Sequence, residues 1–301
     1  MTDISRFVQY QNDVCWQKRI KDQTLIDDMV TYGMDFISEV SIDTLEFQYV
    51  DKSDTAECKR ITKFIERYEW LGKMPVWVTH RFTATYNGVI IAAIVMATPY
   101  AFSKFIDGYS NREKLIARGA SISFAPDNIA SWIIMKSIKW MVANTEFRIF
   151  SAYSDPVAGE VGTVYQACNF FYLGQTFGGN EVYITPDGKK QVSGTYFNNR
   201  SVIKKSAIKH GVDWKPEYLK SNKNKTKRIV AWENIPDDVQ AHIRKAVEIE
   251  KEKYTKVTTS KKHKYVYVLG RGKLETKSLR RLFQENNETL EYPKERGELA
   301  Y

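Results

Sequence analysis

Cysteine is sparse in this chain: Cys15, Cys58 and Cys168 are the three among 301 residues, odd in number and far apart. That spacing supplies neither a disulfide framework nor a metal knuckle, so a reducing, cytosolic setting is expected. No stretch of eighteen apolar residues occurs, and no basic head precedes a long apolar segment at the N-terminus. Membrane spanning and secretion are therefore not expected, and a soluble protein is. No G-x-G-x-x-G follows a strand-like segment, which argues against a doubly wound dinucleotide fold. Internal repeats are also absent.

What the chain does have is enough apolar material for one large core or two modest ones, with 43% hydrophobic and 13% aromatic residues. Its net charge of +9 is unevenly spread. Residues 189–301 carry 27 Lys/Arg against 14 Asp/Glu, and residues 1–188 carry 18 against 22. A basic C-terminal part on a mildly acidic body reads either as a polyanion-binding extension or as a solvated lysine-rich face. The expected division is an N-terminal extension (1–45), a core (46–187) and a basic C-terminal extension (188–301).

Along the chain, residues 1–45 are weakly periodic, and Leu45 to Val50 alternates like a half-buried strand. Asp54 with Glu57 forms a capping-box signature for a helix through about Trp70, stopped by Gly72. Val76–Tyr86 and Val89–Thr98 flank Asn87-Gly88, the residue pair that a type I′ hairpin turn requires. Leu115–Phe124 reads as a strand, Asn128–Ala143 as an amphipathic helix and Phe147–Tyr153 as a buried strand. Further on, Asp237–Tyr254 is helix-like, and residues 261–270 form a strand with aromatics among cations. This order of helix, hairpin, strand, helix, strand, short helix and strand fits an α/β fold of the acyltransferase type.

Chemistry concentrates in Ser154 to Gly174, which gathers an acid, three glycines and a phenol at one junction between strands. Asp155 follows an apolar strand, and Tyr165 lies ten residues on, with Gly159 and Gly162 between them. A turn and a short helix would return the Tyr165 hydroxyl over the strand end, where a phenol can protonate a leaving group or orient an amine. Arg118 sits in an apolar strand, where a guanidinium needs an anion. Asp155 is its natural counterpart, either in a site or in a plain buried ion pair. Asn128 and Ser131 open a helix whose first N–H groups suit a pyrophosphate, although Asn128 also reads as a simple cap. The Arg/Gln-x-x-Gly-x-Gly/Ala signature of ordinary N-acetyltransferases is missing there. Tyr86 reads as cross-strand packing or as a site residue, and His80 as structural.

Taken together, Leu115-Ile-Ala-Arg118, Asn128 with Ser131, and the run from Tyr153 to Gly174 resemble the bacteriophage Mom-type DNA-modification proteins. Weaker echoes are Tyr68-Glu-Trp-Leu71 with Met74-Pro75, Tyr86-x-Gly88, the Lys-His-Lys-Tyr-Val-Tyr run from Lys262 and Tyr292-Pro-Lys294. The resemblance implies a GNAT-like acyltransferase fold with a mixed central sheet flanked by helices. It also implies methylcarbamoylation of adenine N6 in phage DNA, in the host cytoplasm, as protection against restriction. Arg118, Asp155, Tyr165 and Tyr86 inherit catalytic roles, Asn128 and Ser131 contact acetyl-CoA or a related acyl-CoA, and double-stranded DNA is the partner. For its phosphates the expected contacts are Lys223, Lys225, Lys227, Arg228, Lys261, Lys262 and Lys264. Where the family has His-Tyr before Met-Pro this chain has Glu69-Trp70, and where it has Gly-His-x-Gly this chain has Gly159-Glu160-Val-Gly162. Carboxylates at those positions would titrate several units lower than histidine, and a role for iron has no support in the sequence. An acetyl-CoA-dependent N-acetyltransferase for a protein or small amine, and an inactive DNA-binding protein, stand as alternatives.

Overall fold

The computed structural model describes residues 15–176, 181–186, 191–221, 228–258 and 261–294. The chain forms two compact units, Met1–Thr176 with Lys261–Tyr301, and Phe177–Ser260.

The first unit opens with α1 (Trp16–Glu39), whose helical path is interrupted at Gly33 (φ 77°). β1 (Glu46–Val50) and α2 (Thr55–Tyr68) follow. Asp54 accepts from the Glu57 N–H at 3.0 Å, as a cap should, whereas the Glu57 side chain turns to Arg60 instead of closing the box. β2 (Val78–Tyr86) and β3 (Val89–Ala97) make the expected hairpin, with Asn87 and Gly88 both at positive φ. Then come β4 (Glu113–Ser121), α3 (Ile129–Asn144), β5 (Ile149–Ser154), α4 (Thr163–Ala167) and β6 (Phe171–Gln175).

The second unit contains β7 (Glu181–Ile184), β8 (Gln191–Ser193), α5 (Arg200–Lys209), β9 (Leu219–Ser221), β10 (Arg228–Val230), α6 (Asp237–Lys251) and β11 (Thr255–Thr258). Its strands form a sheet of order β11-β7-β8 and a β10-β9 pair. Its helices close on Ile203, Ala207, Ile235 and Ile243. The chain then returns to the first unit with β12 (His263–Val268) and α7 (Lys273–Asn286).

The main sheet has the order β1-β2-β3-β4-β5-β12-β6, with β4 and β5 parallel and the other neighbouring pairs antiparallel. Alternation along β3 sorts its two faces. Ala92, Ile94 and Met96 pack under α3 with Ile133, Ile138 and Met141, whereas Ile91, Ala93 and Val95 face Ile61 and Ile65 of α2. On β5 the same rule sends Phe150 toward α3 and Ile149 toward Leu279 and Phe283 of α7. The result is a mixed α/β sheet with helices on both faces.

Two expectations change. Residues 261–294 do not belong to a C-terminal extension, because β12 is an inner strand between β5 and β6, and Tyr265, Val266 and Val268 are fully buried. The interleaved aromatics of that run are core residues. Nor is the N-terminal segment a mere extension. Ile37 and Val40 enter the α2 core, and buried Asp28 accepts from the Tyr68 hydroxyl (2.7 Å), Arg67 (3.0 Å) and the Ser123 hydroxyl (2.7 Å). The helix escaped a periodicity reading because its apolar stripe is broken by Gly33 and by Asp28. Among the described residues no helix is long and apolar enough to cross a membrane.

Candidate active site

β4 and β5 pair only from Glu113 with Ile149 to Ile116 with Ala152, although β4 runs on to Ser121 and β5 to Ser154. Beyond that point the two strands part, and their ends leave an opening in the sheet. Arg118 lies on the β4 side of it. Its Nε donates to the Lys73 carbonyl at 2.9 Å and its Nη1 to the Ala117 carbonyl at 2.6 Å. Its carboxylate neighbour is Glu69, 3.8 Å away and only 7% exposed, and not the expected Asp155. Glu69 ends α2, where its Oε2 accepts from the backbone N–H groups of Leu71 (2.9 Å) and Gly72 (3.1 Å). Burial pushes its carboxyl upward, opposed by the Arg118 cation.

Asp155 follows β5 directly and pairs with Lys262 Nζ at 3.2 Å. Lys262 is set in place by β12, since its N–H donates to Thr176 Oγ1 (3.0 Å) and its carbonyl accepts from the Thr176 N–H (2.9 Å). The turn after Asp155 is closed by Ala158 and Glu160 N–H donation to the Asp155 carbonyl, with Gly159 and Gly162 at φ 68° and 70°. Tyr265 pins its far end by donating to the Val161 carbonyl at 2.5 Å, and Gln166 donates there at 2.8 Å. A Cβ on Gly162 would enter the Tyr265 ring, so glycine is required by space as well as by backbone angle.

Within this turn the Glu160 carboxyl is pushed up to about 7, first by burial, opposed by a hydrogen bond from the Asp155 backbone, then by the charges of Glu69 and Asp155, with Lys262 pulling weakly the other way. Tyr165, on α4, packs at tilted angles against the rings of Phe170 (5.3 Å) and Tyr265 (5.4 Å). Burial raises its phenol far above the usual range, and Glu160 and Glu69 add to the effect. The phenol thus keeps its proton at any ordinary pH. Arg118, Asp155 and Tyr165 share one electrostatic neighbourhood, joined through Glu69, Glu160 and Lys262.

Sequence reasoning singled out Glu69 and Glu160 as departures from the family pattern without making them site residues. The signal that could have done so is positional, since Glu160 is the one ionisable residue between Gly159 and Gly162. Other expected residues fall elsewhere. Tyr86 donates to Glu39 Oε2 at 2.7 Å and packs on Phe36, in contact with α1. Asn128 occupies a left-handed conformation (φ 63°) with no side-chain cap bond, and Ser131 Oγ donates back to the Asn128 carbonyl at 2.9 Å. Cys168, beside α4, donates to the Ser131 carbonyl at 3.8 Å, which places the start of α3 against the element carrying Tyr165.

Among the expected phosphate contacts, Lys262 is held by Asp155, and Lys264 points inward. Its Nζ donates to Ser103 Oγ at 3.2 Å and lies over the Phe105 ring at 4.5 Å. Lys264 is turned inward by its place in β12, whereas Lys262, just before that strand, keeps a side chain 43% exposed and engaged by Asp155. Arg228 and Lys261 are exposed, and Lys223, Lys225 and Lys227 lie outside the described residues. His80 is structural as expected, its ring set among Tyr49, Trp140 and Phe147. Among the described residues no group of three or more His, Cys, Asp or Glu side chains is arranged to hold a metal ion.

An acyl-CoA fits what this opening offers. The start of α3 supplies helix N–H groups, and Ser154 Oγ at the end of β5 is buried with no partner among the described residues.

A probable acetyltransferase from Staphylococcus epidermidis is 11% identical, covering 44% of this chain and 86% of its own, with a TM-score of 0.32. A Salmonella typhimurium protein with its cofactor acetyl-CoA is 10% identical, covering 44% and 83%, also at 0.32. A malonyl-CoA decarboxylase from Rhodopseudomonas palustris is 10% identical, covering 88% and 67%, at 0.31. Likenesses this slight carry no argument, and the fold rests on the chain's own sheet. No curated protein matches the chain. The model of the Mom protein family matches residues 55–294, a span holding the parted strands, the Glu160 turn, α4 and β12 alike, and the chain belongs to that family.

Proposed function

We propose that this protein is a transferase that modifies adenine N6 in DNA by methylcarbamoylation, in protection of phage DNA from restriction. The observation that carries this reading is the electrostatically coupled group of Glu69, Arg118, Asp155, Glu160 and Tyr165 about the ends of β4 and β5, in a chain of the Mom protein family. An exocyclic amine conjugated to its ring is a weak nucleophile. Attack therefore requires a nearby base and a donor for the departing group.

Asp155, held by Lys262, accepts a hydrogen bond from the amine and orients it. Glu160 takes the N6 proton as the new N–C bond forms, because its carboxyl is poised near neutrality. Tyr165 keeps its proton until the leaving atom needs it. Arg118, fixed by two backbone carbonyls, stabilises negative charge developing on the transferred carbonyl. A coenzyme A thioester held at the Asn128–Ser131 turn and already carrying the methylcarbamoyl group would supply the activated carbonyl: the N6–C bond forms as the C–S bond breaks, and the thiol leaves. The target base leaves the duplex stack to reach these groups.

Mass spectrometry of nucleosides from DNA of expressing cells tests the proposal. Modified deoxyadenosine should appear with the wild type and vanish with Asp155→Asn. Unmodified adenine in wild-type cells, with transfer to a protein or small amine instead, refutes it.

A further inference from the structure

A second concavity on the first unit is lined by the last turns of α3, the turn from Leu269 to Gly272 and the outward side of α7. Its cations are Lys139, Arg271, Lys273, Lys277, Arg280 and Arg281, against the single acid Glu285. The pairing of these cations is uneven. Arg271 is bound to Glu146 at 2.9 Å, and Arg281 lies 3.6 Å from Glu285. Arg280 donates to the Val268 carbonyl and lies over the rings of Tyr267 and Phe171. Lys139, Lys273 and Lys277 are exposed and have no acidic partner among the described residues.

A merely solvated face would be expected to balance its charges along the helix, as α6 does with Glu248–Lys251 and Glu250–Lys253. α7 does not. Lys273 is its first residue, where a cation works against the helix dipole, so the fold gains nothing from that charge. Leu279 and Phe283 anchor the other side of the helix, which fixes Lys273, Lys277 and Arg281 as an i, i+4, i+8 row. The row steps by about 6 Å, on the scale of successive phosphates along one strand. The groove is concave, which suits a convex strand and not a flat bilayer. Leu274, 87% exposed beside Lys273, adds an apolar tip that a sugar can cover and a small anion cannot use.

We propose that this groove carries the phosphodiester backbone of double-stranded DNA through Lys139, Lys273 and Lys277. The proposal rests on the DNA-modifying reading of the site, and it supplies the contact surface that Lys262 and Lys264 do not. Lys139 lies eight residues beyond Ser131 on the same helix, about 12 Å along its axis, well inside one turn of duplex.

The test is fluorescence anisotropy of a labelled 20-base-pair duplex with the full chain over a salt series. Lys139→Ala/Lys273→Ala/Lys277→Ala should weaken binding about tenfold or more and lower the slope of log K against log salt by about 3, near 0.9 for each lost phosphate contact. Lys52→Ala/Lys59→Ala/Lys63→Ala removes the same charge from exposed positions around α2 and should leave the slope nearly unchanged. An unchanged slope in the groove variant, an equal loss in the control, or wild-type preference for phosphatidylserine vesicles over duplex overturns the assignment. Nucleoside analysis of cells expressing the groove variant and wild type separates this outcome from failure of the modification reading, which would leave wild-type DNA unmodified.

Discussion

Replacing Glu160 with glutamine removes one ionisation and little else, so the buried carboxyl can be weighed directly. In the folded chain its pKa stands at about 7 instead of the ordinary 4.5. Below about 4.5 the carboxyl is neutral folded or unfolded, and it contributes no penalty. As pH rises toward 7 the unfolded chain gives up the proton while the folded chain keeps it, and stability falls. Above 7 both states are ionised, and the full cost of burying the charge is present. At about 1.4 kcal/mol per pH unit the loss amounts to about 3 kcal/mol. Urea denaturation of wild type and Glu160→Gln, followed by a probe in the first unit, should give matching stabilities near pH 4. A gap favouring the variant should open to about 3 kcal/mol by pH 8. In parallel, carboxyl ¹³C NMR should show one glutamate titrating near 7 that is missing from the variant, and Glu69→Gln should move that midpoint down by removing a neighbouring negative charge. Parallel stability curves, or titration of Glu160 near 4.5, would refute the claim that burial holds the proton there, and with it the assignment of Glu160 as base.

Tyr165→Phe retains the ring contacts with Phe170 and Tyr265, so nucleoside analysis should show loss of modification while the thermal midpoint moves by no more than a few degrees. Gly162→Ala forces a Cβ into the Tyr265 ring at a positive φ, and should lower stability by about 2–4 kcal/mol in urea titrations and abolish modification together. His80 is pushed down to about 4 by burial, with Lys114 adding to the effect, so it favours the folded state above its unfolded pKa near 6.5. That stability is lost as pH falls from about 6.5 to 4, and His80→Phe should flatten the acid limb of the stability profile over that window.

Local signals recovered much of the first unit. Asn87-Gly88 fixed a hairpin because few residue pairs tolerate two positive φ angles, and Asp54 marked the start of α2 because an acid satisfies free N–H groups there. β12 was legible as a strand, but its place was not. Nothing in the Lys261–Gly270 run says that it pairs with Ser154 and Gln175 after an intervening unit of 84 residues, Phe177–Ser260. The same blindness misread its lysines. Charge counted along the chain suggested a phosphate-binding run, while alternation in an inner strand turned Lys264 toward Ser103 and Phe105. α7 has a regular apolar stripe in Leu279, Leu282 and Phe283, and was passed over because the cations around it dominate the composition.

The same distance in sequence explains why Arg118 and Asp155 were joined as partners. Each does meet an opposite charge, but the intervening partners arrive from elsewhere, Glu69 from the end of α2 and Lys262 from the start of β12. A direct Arg118–Asp155 bridge would have closed the opening between β4 and β5. Two separate pairs give both groups an opposite charge, and Glu160, pushed up to about 7, feels the carboxylates of both Glu69 and Asp155. Glu69 and Glu160, the two departures noted in the sequence, are thereby coupled electrostatically. Glu69 raises the affinity of Glu160 for its proton, and Glu160 then titrates where an imidazole would.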